Sequence, residues 1–228
     1  MTPTEKDKLR KCPFCNNIAP LLLVKKGTQY FQCVACQTIF SDPLENDNMI
    51  GGVAEVERNE KENAERLYRV SKSLGGVKDG PKILDFGCGH GMFLKVLRDD
   101  GWEAEGYDLY NPEFNSKLPE RGYYHLVMAT EVIEHTSAPY LEVDVMFRAL
   151  VPGGMVIIET SFVDIAKEDG IPLEDFFYIS PLAGHSTIFS HHSLDLLMVM
   201  KGFAVSAHWN RHVRSYRKPH KDTIWKGR

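Results

Sequence analysis

The stretch KILDFGCGHGMFLKVL, residues 82–97, limits the fold of this chain more than any other feature of the sequence. An apolar run leads into glycines at Gly87, Gly89 and Gly91, and an apolar helical pattern follows them. Glycine lets a chain turn sharply and brings its backbone close to a ligand. A buried strand, a glycine turn and a helix in this order are typical of the ligand-binding edge of an α/β sheet.

Strand and helix patterns alternate after this point, which predicts parallel βαβ units. The predicted strands are KILDF, EAEGYD, HLVMAT, GMVIIET and FAVSAHW, with DTIWKGR as a final one, and the predicted helices are MFLKVLRDDG, APYLEVDVMFRALVPGG and SLDLLMVMKGF. The predicted fold class is therefore α/β, with a doubly wound, Rossmann-like, mostly parallel sheet. Ligands of such sheets bind at the carboxyl ends of the strands.

Two aspartates beside the glycine turn indicate which ligand it suits. A dinucleotide-binding turn reads GxGxxG, whereas this turn reads GxGxG and has Asp85 two residues before its first glycine. The Asp85 carboxylate would repel a pyrophosphate and suit a cation, and Asp108 at the next strand end can accept hydrogen bonds from two ribose hydroxyls. The helix start at Gly91 can hold a carboxylate through its free N–H groups. A cation, an amino-acid carboxylate and a ribose together describe S-adenosylmethionine.

Four of the five cysteines lie in two CxxC pairs, CPFC and CVAC, which are separated by 17 residues. These cysteines are Cys12, Cys15, Cys33 and Cys36. Two such turns can bring four thiolates into a tetrahedron, which predicts a zinc ribbon. Four thiolates leave no open position on the metal, so the predicted zinc is structural. The alternatives are two disulfides, which we disfavour because we see no export signal, and four unrelated buried thiols, which this spacing makes rarer still.

Local backbone chemistry agrees with a ribbon. The stretch IAPLLLVKKGTQYFQ reads as two short strands that meet at Lys26 and Gly27. The residue after each CxxC pair often needs a left-handed backbone, which Asn16 tolerates and which Gln37 fits less well.

A polar stretch, SDPLENDNMIGG, follows the ribbon and predicts a linker. A highly charged helix is then predicted from about Ala54 to Leu74, with one narrow apolar face against the main domain and its charges in solvent. The predicted organisation is a zinc ribbon at residues 1–45, a linker and charged helix at 46–80, and a cofactor-binding domain at 81–228.

Basic residues collect near the C-terminal end of a chain whose net charge is −4. From Arg211 to Arg228 there are seven lysines and arginines against Asp222 alone, a net charge of +6, which leaves −10 for the remainder. Such a segment could meet the phosphates of a nucleic acid, a nucleotide-sugar or a lipid. We favour the interpretation that these charges lie in a solvated loop.

Neither a membrane span nor a signal peptide is expected. The sequence has no run of about 18 apolar residues, the length that a transmembrane helix needs. The first residues, MTPTEKDKLRK, are charged and lack the apolar core of a signal peptide. We therefore expect a cytoplasmic protein.

From Lys82 to His208 the chain resembles a class I S-adenosylmethionine-dependent methyltransferase. The matching pieces are ILDFGCGHG, GYDLY, YHLVMATEVIEHTSAP, FRALVPGGMVIIET and GHSTIFSHHSLDLLMVMKGF. The front, CPxC…CxxC ending near FSDP, resembles a bacterial variant found in enzymes of surface-sugar or secondary metabolism. The residues that the resemblance and the turn chemistry assign to the cofactor are Asp85, Phe86, Gly87, Gly89, Gly91, Asp108, Leu109 and Thr130.

One segment departs from the family pattern. Leu109 to Tyr124 spans only 16 residues, where the family places a helix, an edge strand and another helix. A crossover with its helix alone takes about 10–12 residues, so we expect the edge strand to be lost or vestigial. The acidic-small pair that meets the adenine from that strand is not visible in the sequence.

The candidates for chemistry lie in TEVIEH and after the next strand. Glu131, Glu134 and His135 stand at i, i+3 and i+4, which would put them on one face of a helix, and His185 could approach the same rim. His135 is a candidate general base. Alternatively the four residues hold one divalent metal, a pattern that resembles small-RNA 2′-O-methyltransferases and, in part, ubiquinone-pathway O-methyltransferases. A third interpretation gives these residues only packing or capping roles.

The acceptor is expected at a long loop, GIPLEDFFYISPLAGH, where Phe176, Phe177 and Tyr178 could contact it or pack into the core. The function predicted first is O-methylation of a small hydroxylated acceptor such as a sugar or a nucleotide-sugar. An RNA 2′-O-methyltransferase, with the ribbon and the basic segment on the strand, is the second hypothesis. A catalytically inactive binding module is the third.

Overall fold

The computed structural model describes residues 8–42, 60–76, 79–136 and 138–220. In chain order its elements are β1 (Leu9–Lys11), β2 (Ile18–Lys25), β3 (Thr28–Gln32), β4 (Ile39–Asp42), α1 (Glu60–Ser73), β5 (Lys82–Phe86), α2 (Met92–Asp99), β6 (Glu103–Tyr107), β7 (Tyr124–Thr130), α3 (Pro139–Ala149), β8 (Leu150–Glu159), α4 (Val163–Glu168), β9 (Thr187–Ile188), α5 (His191–Met200), β10 (Ala204–His208) and β11 (Val213–Arg217). A short 3-10 turn at Pro181–Ala183 lies between α4 and β9.

The N-terminal strands form an antiparallel ribbon, residues 8–42, as the alternation around Lys26 and Gly27 predicts. Those two residues have φ values of 50° and 86° and close the hairpin between β2 and β3. Two positive φ values in succession twist the turn in the sense that the flanking strands require. Asn16 adopts φ 59° and Gln37 φ 66°, so the left-handed backbone expected after each CxxC pair is present at both positions, although glutamine suits it less well than asparagine.

The main sheet has six strands in the order β10-β11-β8-β7-β5-β6. Strands β6, β5, β7 and β8 run parallel, and β11 lies antiparallel between β8 and β10. This order confirms the predicted α/β class with a mostly parallel sheet. The carboxyl ends of β5, β6, β7 and β8 meet at one edge, where such sheets bind ligands.

Strand β6 is the outer strand on its side, so the edge strand that the family places beyond it is replaced here. Within the described part of the chain, residues 108–123 form turns and no strand. Phe114 folds back over the glycines instead, because Cβ atoms built on Gly91 and Gly106 would lie 3.1 Å from its ring. The loss of the edge strand, predicted from the short spacing, is confirmed.

Helices cover both faces of the sheet. On one face Val70 of α1 and Leu97 of α2 pack against Leu126 of β7. On the other face Val143 of α3 and Leu194 of α5 complete a larger core. Burial of such side chains supplies the main stabilising free energy of the fold, about 1.5–3 kcal/mol for each large apolar side chain.

Two arginines of α1 are buried, which corrects the expectation that the charges of this helix lie in solvent. Arg66 and Arg69 are 4% and 6% exposed and both donate to the carboxylate of Glu159 at the end of β8, at 2.6 and 2.8 Å. The helix thus docks through ion pairs as well as through its apolar face. The predicted start of the helix at Ala54 lies outside the described residues.

The ribbon joins the main domain through shared core and sheet contacts. Tyr30 and Ile39 belong to the larger core of the main sheet. Strand β9, from the main domain, pairs with β4 and becomes the fifth strand of the ribbon sheet. The interface between the ribbon and the main domain is therefore packed like a protein interior, with backbone hydrogen bonds and buried side chains.

The described part of the basic C-terminal segment is structural, which corrects its assignment to a solvated loop. Arg214 lies in β11 and is 5% exposed, with its guanidinium over the ring of Phe162. Arg211 pairs with Asp169 at 2.7 Å, and Lys218 donates to two backbone carbonyls. The strand predicted for DTIWKGR lies outside the described residues.

Candidate active site

The glycine turn lies at the carboxyl ends of β5 and β6. Gly87, Gly89 and Gly91 have φ values of 73°, 57° and 76°, which only glycine adopts without strain. The Gly87 N–H donates to the carbonyl of Tyr107, and the Gly89 N–H donates to the Asp108 carboxylate, at 2.7 and 2.8 Å. Gly91 is the N-cap of α2, so the free N–H groups of that helix point towards the turn.

Gly87 also fits against the segment that follows β7. A Cβ atom built on Gly87 would lie 2.4 Å from Cγ2 of Val132. Real Cβ atoms do not approach so closely, so any side chain here would displace Val132 or the glycine turn itself. The glycine turn and the TEVIEH segment are therefore in direct contact.

Asp108 anchors the loop after β6. One carboxylate oxygen accepts the N–H groups of Tyr110 and Asn111, at 2.9 and 3.0 Å, and the other accepts that of Gly89. The Asn111 amide donates to the Gly89 carbonyl at 2.7 Å and closes the loop onto the turn. A carboxylate has about four acceptor positions. Asp108 therefore retains capacity for a ligand hydroxyl beside its three backbone donors.

The other predicted cofactor residues fall into two groups. Asp85 and Thr130 are both 3% exposed at the ends of β5 and β7, and the Thr130 hydroxyl is buried without a hydrogen-bond partner among the described residues. Such a group usually has a partner, so a ligand at this edge would satisfy it. The Phe86 ring packs on Tyr107 in the core and leaves only its backbone for a ligand, whereas Leu109 is 51% exposed.

The TEVIEH segment is a turn, not the helix that the i, i+3, i+4 spacing suggests. Glu131 has φ 54°, a left-handed conformation that stops a helix directly after β7. The His135 N–H then donates to the carbonyl of Val132 and tightens the turn. The three side chains still converge, because the turn folds them towards the segment that carries His185.

Glu134, His135 and His185 form a compact set, which we call the Glu–His cluster. One ligand atom from each lies within 4.8 Å of the others. The rings of His135 and His185 are edge to face, with centroids 4.7 Å apart. Two imidazoles and a carboxylate in this arrangement form a donor set that divalent metals bind.

Tyr178 connects the two glutamates. Its hydroxyl donates to Oε2 of Glu131 at 2.9 Å and also contacts Oε1 of Glu134. The Thr160 hydroxyl donates to the second oxygen of Glu134 at 3.0 Å. Thr160 was not singled out from the sequence, because a threonine after a strand carries no local signal of such a contact.

The aromatic loop divides between core and surface. Phe176 is fully buried and Phe177 is 67% exposed, whereas Tyr178 turns its hydroxyl into the cluster. Of the three aromatic residues predicted to meet the acceptor, Phe177 faces solvent and Phe176 packs into the core. The sequence did not indicate that the Tyr178 hydroxyl would contact both glutamates and hold them in position.

Backbone contacts orient both imidazoles. His185 Nδ1 donates to the carbonyl of Tyr178 at 2.8 Å, which leaves Nε2 as an acceptor. His135 hydrogen-bonds the backbone of Gly184, and its Nε2 lies 3.9 Å from Glu134. An imidazole whose second nitrogen is held by a carbonyl is the usual form of a metal-ligating histidine.

Burial alters the acid–base properties of these groups. It lowers the pKa of His185 to about 4 and the pKa of His135 below its usual value, so both rings are neutral near pH 7. Burial, with the neighbouring Glu134 carboxylate, raises the pKa of Glu131 to about 8, although part of Glu131 reaches solvent. Burial also raises the pKa of Glu134. Neutral imidazoles beside two carboxyl groups whose negative charges repel each other favour the binding of a cation, which relieves that repulsion.

The four cysteines of the ribbon also converge, and we call them the four-cysteine centre. The Cys12 and Cys36 sulfurs are 3.6 Å apart, and those of Cys15 and Cys33 are 3.4 Å apart. A zinc ion bound tetrahedrally to thiolates holds them about 3.8 Å apart, given a metal–sulfur distance of about 2.3 Å. The spacing of the sulfurs therefore fits a closed four-thiolate metal site.

A family model described as a methyltransferase domain matches residues 56–208, more than half of the 228-residue chain. The match covers the glycine turn, the TEVIEH segment and the loop with Tyr178 and His185.

Among the helices that the structure describes, none is long and apolar enough to cross a lipid bilayer.

Curated relatives include two ubiquinone biosynthesis O-methyltransferases. The protein from Psychrobacter cryohalolentis is 26% identical over 127 residues, which cover 44% of this chain and 49% of that protein. The protein from Alkalilimnicola ehrlichii is 29% identical over 120 residues, which cover 43% and 48%. The chain thus spans about half the length of the curated relatives it matches.

Solved structures share the fold at low sequence identity. The 1,6-didemethyltoxoflavin-N1-methyltransferase of Burkholderia thailandensis, with bound 1,6-didemethyltoxoflavin and S-adenosylhomocysteine, has a TM-score of 0.58, 14% identity, and coverage of 87% of this chain and 99% of that chain. The [4+2]-cyclase SpnF has a TM-score of 0.53, 16% identity, and coverage of 78% and 92%. These likenesses concern the fold alone, which supports more than one chemistry. The match over residues 56–208, which span the parallel strands of the main sheet, shows that the chain belongs to the methyltransferase domain family.

Proposed function

We propose that this chain transfers a methyl group from S-adenosylmethionine to a hydroxyl oxygen of a small acceptor, such as a sugar or a nucleotide-sugar. The observation that carries the proposal is the Glu–His cluster directly beside the glycine turn, with Val132 in contact with Gly87. Acid–base or metal-binding groups next to the methyl donor suit an acceptor that must lose a proton. Two relatives named as O-methyltransferases support the choice of oxygen.

The residues at the sheet edge have distinct roles in this proposal. Backbone N–H groups of the glycine turn and the Asp108 carboxylate bind and orient the cofactor. Bound there, S-adenosylmethionine supplies a methyl group whose carbon bonds to the acceptor oxygen as its bond to sulfur breaks. The electron pair of that bond stays on sulfur, and the acceptor's hydroxyl proton leaves to a base. Positioning of the two reactants supplies much of the rate.

Two assignments are open for the acceptor's proton. Neutral His135 can accept it, because the ring is not protonated near pH 7. Alternatively Glu134, His135 and His185, with Glu131 close by, hold a divalent metal, which would lower the pKa of a bound hydroxyl. The hydrogen bond that fixes His185 supports the metal, since it leaves Nε2 directed away from the backbone.

A small acceptor fits the charge distribution better than RNA does. Several described basic residues near the C-terminal end are engaged in contacts within the protein, as Arg211 is with Asp169 and Lys218 with two backbone carbonyls. Binding of an RNA strand relies on basic side chains that remain available to its phosphates. The test is transfer of labelled methyl from S-adenosylmethionine to a panel of hydroxylated sugars, nucleotide-sugars and phenols beside short RNA. Transfer of the labelled methyl group to RNA, together with RNA binding that weakens steeply as the salt concentration rises, would contradict the small-acceptor proposal.

Tyr178→Phe should weaken a divalent metal at the Glu–His cluster by about 10- to 100-fold, the usual cost of losing a supporting hydrogen bond. The phenol oxygen lies within hydrogen-bond distance of both Glu131 and Glu134, and its one proton serves one of them at a time, so its loss removes a contact from both side chains. Titration of Mn²⁺ by electron paramagnetic resonance measures the change.

A matched control for this prediction is Tyr216→Phe. Tyr216 is equally buried and also donates to a carboxylate, that of Asp195 at 2.7 Å, but it lies in β11. An equal loss of Mn²⁺ affinity in both variants would contradict the role given to Tyr178.

We also propose that the four-cysteine centre holds one structural zinc ion. The sulfur spacing supports zinc binding there, because the four cysteines are free of disulfides and their sulfurs lie within 4.8 Å of one another. Cys15→Ser is expected to reduce zinc from one ion per chain to well below one, measured by elemental analysis. Cys88→Ser is the control, because Cys88 lies in the glycine turn. Retention of full zinc by Cys15→Ser would contradict the assignment.

A further inference from the structure

The ribbon contacts the backbone of a residue in the Glu–His cluster. Tyr30 of β3 is fully buried, and its hydroxyl donates to the carbonyl of His185 at 2.9 Å. The two residues are 155 positions apart in the chain. A buried phenol with a single acceptor fixes that carbonyl in place, since breaking the bond would leave two polar groups unpaired.

The residues after His185 are held by the ribbon as well. The Ser41 N–H donates to the carbonyl of Ser186 at 2.8 Å, and Phe40 of β4 pairs with Thr187 of β9. Further along, the Ser190 hydroxyl donates to the carbonyl of Cys36, a member of the four-cysteine centre, at 3.0 Å. The segment from 185 to 190 therefore runs along the ribbon, and its residues Thr187 and Ile188 form an added strand.

The same residues hold Glu134 from their other side. The N–H groups of Ser186 and Thr187 both donate to the carbonyl of Glu134, at 2.9 and 3.1 Å. The Ser186 hydroxyl reaches the carbonyls of Glu134 and Thr136, each at 3.3 Å. Ser186 and Thr187 thus lie between the ribbon and the turn that presents Glu134 and His135.

We infer that the four-cysteine centre is a positioning device for the Glu–His cluster, acting through Tyr30 on His185 and through β4 and β9 on Glu134. The inference deepens the proposed function and rests on its metal-binding role for the cluster. A metal that ties Cys12 and Cys15 to Cys33 and Cys36 fixes the ends of the hairpin that presents Tyr30 and of the turn that begins β4. Supports outside the ligand shell set the geometry and affinity of a metal site.

The glycine turn takes its hydrogen bonds from another part of the fold. Gly87 and Gly89 are held by Tyr107 and Asp108, at the ends of β6. Loss of the ribbon's metal should therefore weaken the Glu–His cluster while S-adenosylhomocysteine still binds. This separation distinguishes positioning from general unfolding.

The first test compares Tyr30→Phe with Tyr216→Phe in zinc-replete, full-length protein. Each variant loses one buried phenol hydroxyl from the larger core. Mn²⁺ is the probe for the Glu–His cluster, because it prefers oxygen and nitrogen donors to thiolates. We expect Tyr30→Phe to weaken Mn²⁺ binding by roughly two- to tenfold, the range that one hydrogen bond carries, and Tyr216→Phe to leave it unchanged. Equal Mn²⁺ affinities in the two variants would overturn the role of Tyr30.

The second test removes zinc with a chelator and follows hydrogen exchange along the chain. The inference expects faster exchange in residues 8–42 and in residues 176–190 together, with β5, β6 and the affinity for S-adenosylhomocysteine preserved. Residues 176–190 that stay protected while the ribbon exchanges would overturn it. If the wild-type protein binds no Mn²⁺ at the cluster, the metal part of the proposed function fails. In that case, the change in hydrogen exchange of residues 176–190 on zinc removal is the measurement that shows whether the ribbon positions Tyr178 and His185.

Discussion

Glu134→Gln is expected to lower turnover by about 10²- to 10⁴-fold, the range for loss of a group that handles the proton of a reacting hydroxyl. Glu134 is fully buried, and its two carboxylate oxygens meet the hydroxyls of Tyr178 and Thr160. Glutamine keeps the shape but removes the charge that a metal or a protonated His135 would need. The measurement is single-turnover methyl transfer with an identified acceptor.

Stability provides the internal control for Glu134→Gln. Burial and the neighbouring Glu134 carboxylate both raise the pKa of Glu131, which indicates that two negative charges here repel each other. The neutral side chain is therefore expected to leave the thermal unfolding temperature unchanged or higher. Glu174→Gln, at an exposed position two residues before Phe176, should leave turnover unchanged. Full activity in Glu134→Gln would contradict a role for the cluster in either proton transfer or metal binding.

Gly87→Ala is expected to destabilise the protein and to remove cofactor binding. Alanine at φ 73° costs about 1–2 kcal/mol, and its Cβ at 2.4 Å from Val132 adds about 1–3 kcal/mol of overpacking. Relief of the clash moves either the turn that faces the ligand or Val132, which lies in the TEVIEH segment beside it. Affinity for S-adenosylhomocysteine should therefore fall by at least about tenfold, the change that 1.4 kcal/mol produces. Calorimetric titration and chemical unfolding measure the two effects.

The matched control separates the clash from the backbone strain. Gly122 has φ 63° in the loop before β7, and a Cβ built there has no atom within 4 Å. Gly122→Ala should therefore cost only the left-handed strain and should leave cofactor affinity unchanged. Equal losses of stability and affinity in both variants would show that contact with Val132 does not matter.

Features with a local chemical cause could be predicted from the sequence. The glycine turn, the Lys26–Gly27 hairpin and the CxxC pairs each depend on residues that are close in the chain. The lost edge strand was also predictable, because 16 residues cannot hold a strand between two helices. The mostly parallel character of the sheet follows from strands and helices that alternate.

Contacts between distant residues left no such signal. The i, i+3, i+4 spacing of Glu131, Glu134 and His135 suggested a helix, but the left-handed Glu131 makes a turn. The spacing also gave no sign that Tyr178, 47 positions from Glu131, would bridge the glutamates. Pairings of this kind arise from tertiary packing, which overrides local pattern.

Charged residues were the other source of error. Arg66 is 93 positions from Glu159, and its burial follows from a carboxylate at the end of β8 that no helical pattern reveals. Arg214 likewise lies in an internal strand, although its neighbours in sequence are basic and polar. Long side chains bury their stems and ion-pair their ends when a partner is available, and the partner is set by the fold.

Binding of the cofactor at the glycine turn can be measured by calorimetric titration of the zinc-replete protein with S-adenosylhomocysteine. We expect saturable binding of one ligand per chain. Asp108→Ala should abolish this binding, and Glu134→Gln should retain it. Asp108 joins Gly89, Tyr110 and Asn111 at the proposed ribose position, so its loss removes both ligand and loop contacts. A folded wild-type protein that binds neither S-adenosylhomocysteine nor S-adenosylmethionine would contradict cofactor binding at the glycine turn.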